Sequence, residues 1–174
     1  DEAEAIKIML KIGYCIDEIS LRLGRSKGLI YNRIKLSELI EPLKEMFISN
    51  QLNIQSATEL AGLNTDSQTE FFEKYCKNWK EKGFSLDRFS YLLDQYKMNL
   101  KNAPFDPRDK SLIEKAGACT DCPFNSSTIK SLFPAMEETS ICRNKKCYLL
   151  KCSVSLENSI ANILQPIWNP YSRR

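Results

Sequence analysis

Residues 17–36 read DEISLRLGRSKGLIYNRIKL, and the fold turns on how this stretch is parsed. Ile16, Ile19 and Leu23 recur at helical spacing, which predicts a short helix from about Ile16 to Leu23 that buries all three. Cys15 stands at its cap position, with Glu18 three residues later. Gly24 permits a tight turn. Ser26 is placed to cap a further helix whose buried side carries Ile30 and Ile34. Helix, Gly turn, Ser cap and helix make a helix-turn-helix arrangement. Two ordinary packed helices with a solvated basic face would show the same spacing, since helix–Gly–helix pairs are common in helical proteins.

The side chains on the second helix suit DNA. Arg22, Arg25, Lys27, Arg33 and Lys35 follow one another with no acid between them, although residues 1–100 carry 14 basic and 15 acidic side chains. Such a local basic face attracts phosphate even on a domain that is neutral as a whole. Arg25, Ser26, Lys27 and Gly28 form the first turn, where side chains and free N–H groups can meet phosphate. Gly28 also keeps one position slim enough for close backbone approach. Tyr31, Asn32 and Lys35 lie off the Ile30/Ile34 face, and Asn and Lys have the groups that read base edges in a major groove. Phosphate contacts are therefore expected from Arg22, Arg25, Lys27 and Arg33, and base readout from Lys27, Tyr31, Asn32 and Lys35.

The flanking sequence is helical almost throughout. Ile6, Met9 and Leu10 mark a first helix closed by Gly13. Pro42 suits the first turn of a fourth, and Ile54, Ala57 and Leu60 mark a fifth. Thr65 to Gln68 is a capping-box pattern. It is expected to open a helix with Phe71, Phe72, Tyr75, Cys76 and Trp79 on one stripe, stopped by Gly83. Ser85 opens the next, with Leu86, Phe89, Leu92, Leu93 and Tyr96. Both aromatic stripes read as core; base stacking would need exposed aromatics beside basic residues. A last helix is expected from about Lys146, burying Leu149, Cys152, Leu156, Ile160 and Ile163 and ended by Pro166. No alternating strand stands out, though a short hairpin could lie among the cysteines.

Composition narrows the function. Of 174 residues, 43% are hydrophobic and 27% charged, with only 6 Gly and 7 Pro, as in a soluble globular protein. The formal charge of +3 is too small to select a partner by itself. No apolar run is long enough for a bilayer and no signal-peptide pattern opens the chain, so a cytoplasmic, nucleoid-associated protein is expected, with no membrane partner. Histidine is absent, which removes Ser-His and Cys-His catalysis and every His-ligated metal site. No enzymatic activity is expected. The chain opens on Asp1, not Met, and is expected to be an excised piece of a longer protein.

Five of the seven cysteines lie between 119 and 152. Cys119, Cys122, Cys142 and Cys147 form C-x2-C-x19-C-x4-C, a ligand set suited to structural Zn2+. Arg143, Lys145 and Lys146 could offset the charge of four thiolates. Cys152 repeats the x4 spacing and is the alternative to Cys147, but shares a face with Leu149 and Leu156. Thiols packed without metal are the plainer reading. A redox CxxC lacks the βαβ surroundings it would need. Cys15 and Cys76 read as packing residues.

The string LGRSKGLIYNRIKLSELI resembles the DNA-binding domain of the ParB/RepB/KorB partition proteins, through Gly24, Ser26, Ile30, Arg33, Leu36 and Leu39. The likeness continues through Ala57, Ala61, Leu63 and Gln68. The cysteine segment resembles a Bacteroidetes-type ParB-like variant, in Ala118–Pro123, Leu132–Pro134 and Cys142–Tyr148, with Tyr148 where Phe is usual. The resemblance implies binding to a centromere-like inverted repeat in duplex DNA by a homodimer, with a ParA-type ATPase as partner, in plasmid or chromosome segregation. The family's arginine-rich nucleotide motif is not found in these residues, so CTP would bind only through a further N-terminal domain. The expectation is an all-α chain: a helix-turn-helix DNA-binding domain over 1–100, a linker over 101–118 with Pro104 and Pro107, and a small zinc-stapled helical lobe over 119–174. Regulation of a mobile element's transcription would use the same DNA chemistry. A zinc-dependent protein-interaction module would instead need the recognition helix covered.

Overall fold

The computed structural model describes residues 2–130 and 140–164. Pro166 and Leu132–Pro134, used above, lie outside them. The chain divides into two compact units, Asp1–Leu93 and Asp94–Arg174. The described residues are mostly helical, and none of their helices is long and apolar enough to cross a membrane.

The first unit runs α1 (Glu2–Lys11), α2 (Ile16–Leu23), α3 (Lys27–Leu36), α4 (Glu41–Ile48), α5 (Ile54–Ala61) and α6 (Thr65–Phe71), with α7 (Phe89–Asp94) at its boundary. Pro42 lies in the first turn of α4, and Asn53 caps α5 by accepting from Ser56 N at 2.8 Å. The α2–α3 turn is made by Gly24 at φ +59°, a left-handed conformation that costs any residue with a Cβ roughly 1–2 kcal/mol. Helix α3 is central and packs against α1, α2 and α5. Ile6, Ile19 and Ile30 meet there with no solvent access, surrounded by Met9, Leu10, Tyr14 and Ile34. Leu23, expected in this core, is exposed: it ends α2 just as the chain turns away, and Ile6 of α1 fills the place against Ile30 instead.

The capping box expected at Thr65 is not formed. Asn64 holds the cap position, and the Gln68 side chain is buried and used elsewhere. Its Oε1 accepts from Ile40 N at 2.9 Å, and its Nε2 donates to the carbonyls of Glu38 and Leu63 at 3.2 and 3.0 Å. One amide thus ties α6 to the turn between α3 and α4. After Phe71 the helix widens into a π-helix, Phe72–Cys76, and breaks into turns well before Gly83. The aromatic stripe still packs as core at its inner end: Phe71 meets Tyr75 and Phe89 edge-on at 5.1 and 5.9 Å. Burial pushes the Cys76 thiol up to about 12, in keeping with a packing role.

In the second unit, β1 (Met98–Asn99) pairs antiparallel with β2 (Ile141–Cys142), Met98 opposite Cys142. Helices α8 (Ser126–Lys130) and α9 (Lys145–Leu164) complete it, with single 3-10 turns at Leu100–Asn102 and Cys119–Asp121. Its core is Leu100, Phe105, Cys119 and Cys142, with Met98, Ala103, Leu112, Tyr148 and Cys152 packed around them. Residues 101–118 are therefore no linker: Phe105 and Leu112 belong to this core, and the Phe105 ring meets Tyr148 at 5.4 Å. The burial expected of the last helix is also reversed. Leu149, Leu156, Ile160 and Ile163 are exposed, and the buried residue of α9 is Lys151. Cys152 alone of the expected face is partly buried.

Two substitutions test the first unit. Ile30→Asp puts an unpaired carboxylate between Ile6 and Ile19, at a cost of several kcal/mol. Loss of the cooperative thermal transition is expected by circular dichroism. Gln68→Leu strands the Ile40 N–H and removes the donor to two carbonyls, so its melt should fall by an amount equivalent to about 1–3 kcal/mol.

Candidate nucleic-acid interface

Ser26 opens α3 as its cap. The hydroxyl accepts from Leu29 N at 3.3 Å, leaving the N–H groups of Lys27 and Gly28 without helical partners. Arg25, Ser26, Lys27 and Gly28 are all exposed, and a Cβ at Gly28 would meet nothing within 4 Å. No acid lies in this first turn. The positive end of the helix and two basic side chains thus face outward together, as an anion site requires. Ser20 supports the approach to this turn by donating from its hydroxyl to the Arg25 carbonyl.

Beyond the first turn the helix sinks into the unit. Tyr31, Asn32, Arg33 and Lys35 are half-buried. Lys27, Tyr31 and Lys35 are spaced four apart on one ridge, and the Lys35 ammonium sits 6.0 Å from the Tyr31 ring. Arg22, on the last turn of α2, stacks its guanidinium 4.4 Å over Tyr14. The expected DNA-facing residues therefore form two groups: an exposed one around the α3 N-terminus, and a half-buried one along the ridge behind it.

The acid-free run in sequence is not acid-free in space. Lys27 pairs with Asp17 of α2, Arg33 with Glu2 of α1, and Lys35 with Glu38 at 2.8 Å. The first two acids come from neighbouring helices, so nothing in the linear order of residues 22–35 shows them. Glu18 is occupied otherwise: Cys15 N donates to its carboxylate at 2.8 Å, and that bond leads in holding its pKa below the usual carboxylate value.

The four cysteines of the expected metal set are free thiols bordering one small pocket in the second unit. Cys119 lies in a 3-10 turn that Cys122 follows, Cys142 in β2 and Cys147 in the first turn of α9. Cys152 packs on the surrounding core. Burial pushes Cys142 up to about 11, with the neighbouring Cys119, Cys122 and Cys147 adding to the rise. Burial also raises Cys147. Among the described residues, no group of three or more Cys, Asp or Glu side chains is set to hold a metal ion. Two residues here were not legible in the sequence. Asn125 is buried, donating to the Cys119 carbonyl at 2.8 Å and accepting from Ser140 at 2.9 Å. Lys151 is buried with its ammonium 3.4 Å from Cys119 Sγ.

The first unit contains a helix-turn-helix, α2 and α3 joined by the turn at Gly24. More narrowly, residues 1–81 match the family model of the ParB HTH domain, and this part of the chain is ParB-like. Neither curated proteins nor solved structures yield a significant match.

Ser26→Ala should lower the stability of the first unit by about 1 kcal/mol, the usual worth of a helix N-cap. A melting curve unchanged from wild type would show that the cap does not hold the α3 start.

Proposed function

We propose that the first unit reads a specific duplex DNA sequence as the recognition domain of a ParB-like partition protein. The observation that carries this reading is the exposed N-terminus of α3, whose first turn carries Arg25, Lys27 and Gly28 and no acid of its own. Backbone N–H groups and the two basic side chains meet phosphate and set the register of the helix. Arg22 and Arg33 add phosphate contacts at either side. Tyr31, Asn32 and Lys35 then read base edges. The match of residues 1–81 to the ParB HTH domain supports the partition reading; the homodimer on an inverted repeat and the ParA-type ATPase partner are what the resemblance to the partition proteins implies. The task of this domain is binding, not catalysis.

The ion pairs give the reading an electrostatic signature. Lys27 and Asp17 are both more than half exposed, so their pair is worth at most about 1 kcal/mol and exchanges readily for phosphate. Arg33 and Glu2 are less exposed and exchange less readily.

Fluorescence anisotropy with duplexes selected from a random pool, titrated at several salt concentrations, checks this. The selected sites should be inverted repeats. Lys27→Ala should weaken binding and reduce the salt slope by about 0.9, the value for one phosphate contact, while leaving the melt within about 1 kcal/mol of wild type. Asp17→Asn should do the opposite and tighten binding, because Lys27 no longer has a competing anion. A pool that returns no preferred sequence, or a Lys27→Ala slope equal to wild type, overturns the proposal.

A further inference from the structure

Lys151 is 1% exposed, among the most buried side chains of the protein. Burial of an ammonium costs several kcal/mol unless a compensating charge stands against it. Among the described residues its hydrogen-bond partners are a carbonyl and a thiol: Gly117 O at 2.6 Å and Cys119 Sγ at 3.4 Å. The face of Phe105 lies 5.9 Å away. Asp109, held charged by accepting from Ser111 at 2.6 and 2.7 Å, is within electrostatic reach of the ammonium, but the groups in hydrogen-bond contact with it are Gly117 O and Cys119 Sγ. Next to Cys142, the Nε of Arg143 is also buried and has no hydrogen-bond partner. One buried cationic side chain, Lys151, thus borders a pocket whose other polar side chains are four thiols and the neutral amides of Asn125 and Asn144. Neutral thiols do not offset a buried positive charge; thiolates do.

The pocket that the four sulfurs border has a cavity of about 10 Å³, room for one water-sized particle. Leu100, Ala118 and Tyr148 also line it, so its walls outside the sulfurs are largely apolar. Three segments distant in sequence supply the thiols: the turn after Ala118, strand β2 and the start of α9. Asn125 fixes the backbone of the first against the residue before the second.

We propose that Cys119, Cys122, Cys142 and Cys147 bind one Zn2+ as a tetrathiolate, with Lys151 as its buried counter-charge. Four thiols lose four protons to solvent as four S–Zn bonds form, leaving a centre of formal charge −2. Soft sulfur ligands and the absence of histidine select a thiophilic d10 ion. Among the described residues no three of these side chains are already set to hold an ion, so binding draws the sulfurs that border the cavity together. Lys151 acts through Cys119: its ammonium lowers the charge on the centre without coordinating the metal, as outer partners of metal ligands do. The sequence pointed to Arg143, Lys145 and Lys146 for this task; the buried Lys151 is the residue placed to do most of it.

The test uses the whole chain, with metal content by mass spectrometry and affinity by competition with a chromophoric chelator. About one zinc per chain is expected. Cobalt in its place should show the intense visible bands of a tetrahedral thiolate site. Cys122→Ser and Cys147→Ser should lose these bands, whereas Cys152→Ser should keep them. Lys151→Met should weaken zinc binding by about 10–100-fold. The same variant should melt at or above the wild-type temperature when metal-free, because an apolar side chain replaces an isolated buried charge. That opposition separates a counter-charge from a packing role, which would lower both quantities together. Full chain that neither retains zinc nor takes it up on reconstitution overturns the metal site. Wild-type zinc affinity in Lys151→Met overturns the role of the lysine.

Discussion

The contact of Ile6, Ile19 and Ile30 is the constraint on which the first unit depends. Each isoleucine comes from a different helix, and none has solvent access. Branching at Cβ restricts their rotamers, so the contact admits one close-packed arrangement of α1, α2 and α3. Ile30 lies in the first half of α3, and Ile34 continues the same face one turn on. With that face turned inward, the cap at Ser26 and the turn after it have nowhere to go but outward. The exposed helix N-terminus is thus a consequence of core packing. The same contact brings α1 close enough for Glu2 to reach Arg33, so packing also sets which cations are already paired.

Much of this was readable from residue types because it rests on local chemistry. Ser26, Pro42 and Gly24 act at their own helix ends, where backbone groups demand a particular side chain or φ angle. The α2 and α3 boundaries follow from them. The failures are non-local. Gln68 matched a local capping pattern, yet its buried amide is worth more across the unit, where it satisfies three backbone groups on two segments. Leu23 matched a helical period, but the period does not say where the partner helix stops. Residues 101–118 read as a linker from their prolines, while Phe105 carried the contrary signal: a large ring in a linker has no partner unless the linker folds.

The electrostatics show the same division between order in sequence and order in space. Five cations in an unbroken run suggest a strong field, but three are neutralised by Asp17, Glu2 and Glu38. The two acids from other helices make the surface a balanced one that phosphate must compete for. An exposed pair such as Lys27–Asp17 holds its lysine in a defined place at little net energy. Competition of this kind weakens contact with any phosphate backbone and leaves geometry a larger share in deciding which site is kept. On the proposed function, that is what selecting a sequence among an excess of non-specific sites needs.

The second unit solves a different problem. Its core has few large apolar side chains: of the four buried residues in its central cluster, two are cysteines. Meanwhile α9 turns Leu149, Leu156, Ile160 and Ile163 outward and Lys151 inward. Hydrophobic burial alone would rotate this helix the other way, since each buried Leu or Ile is worth roughly 1.5–3 kcal/mol and a buried ammonium is a penalty. Something at the start of the helix must outweigh that preference. Cys147 and Lys151 are one turn apart on one face, so the rotation that brings the thiol to the pocket also delivers the lysine to Cys119. The proposed zinc centre, with the sulfur as a ligand and the ammonium as a counter-ion, would account for both with one orientation. The inverted pattern of α9 is then the expected result of a helix positioned by its first turn and not by its apolar stripe.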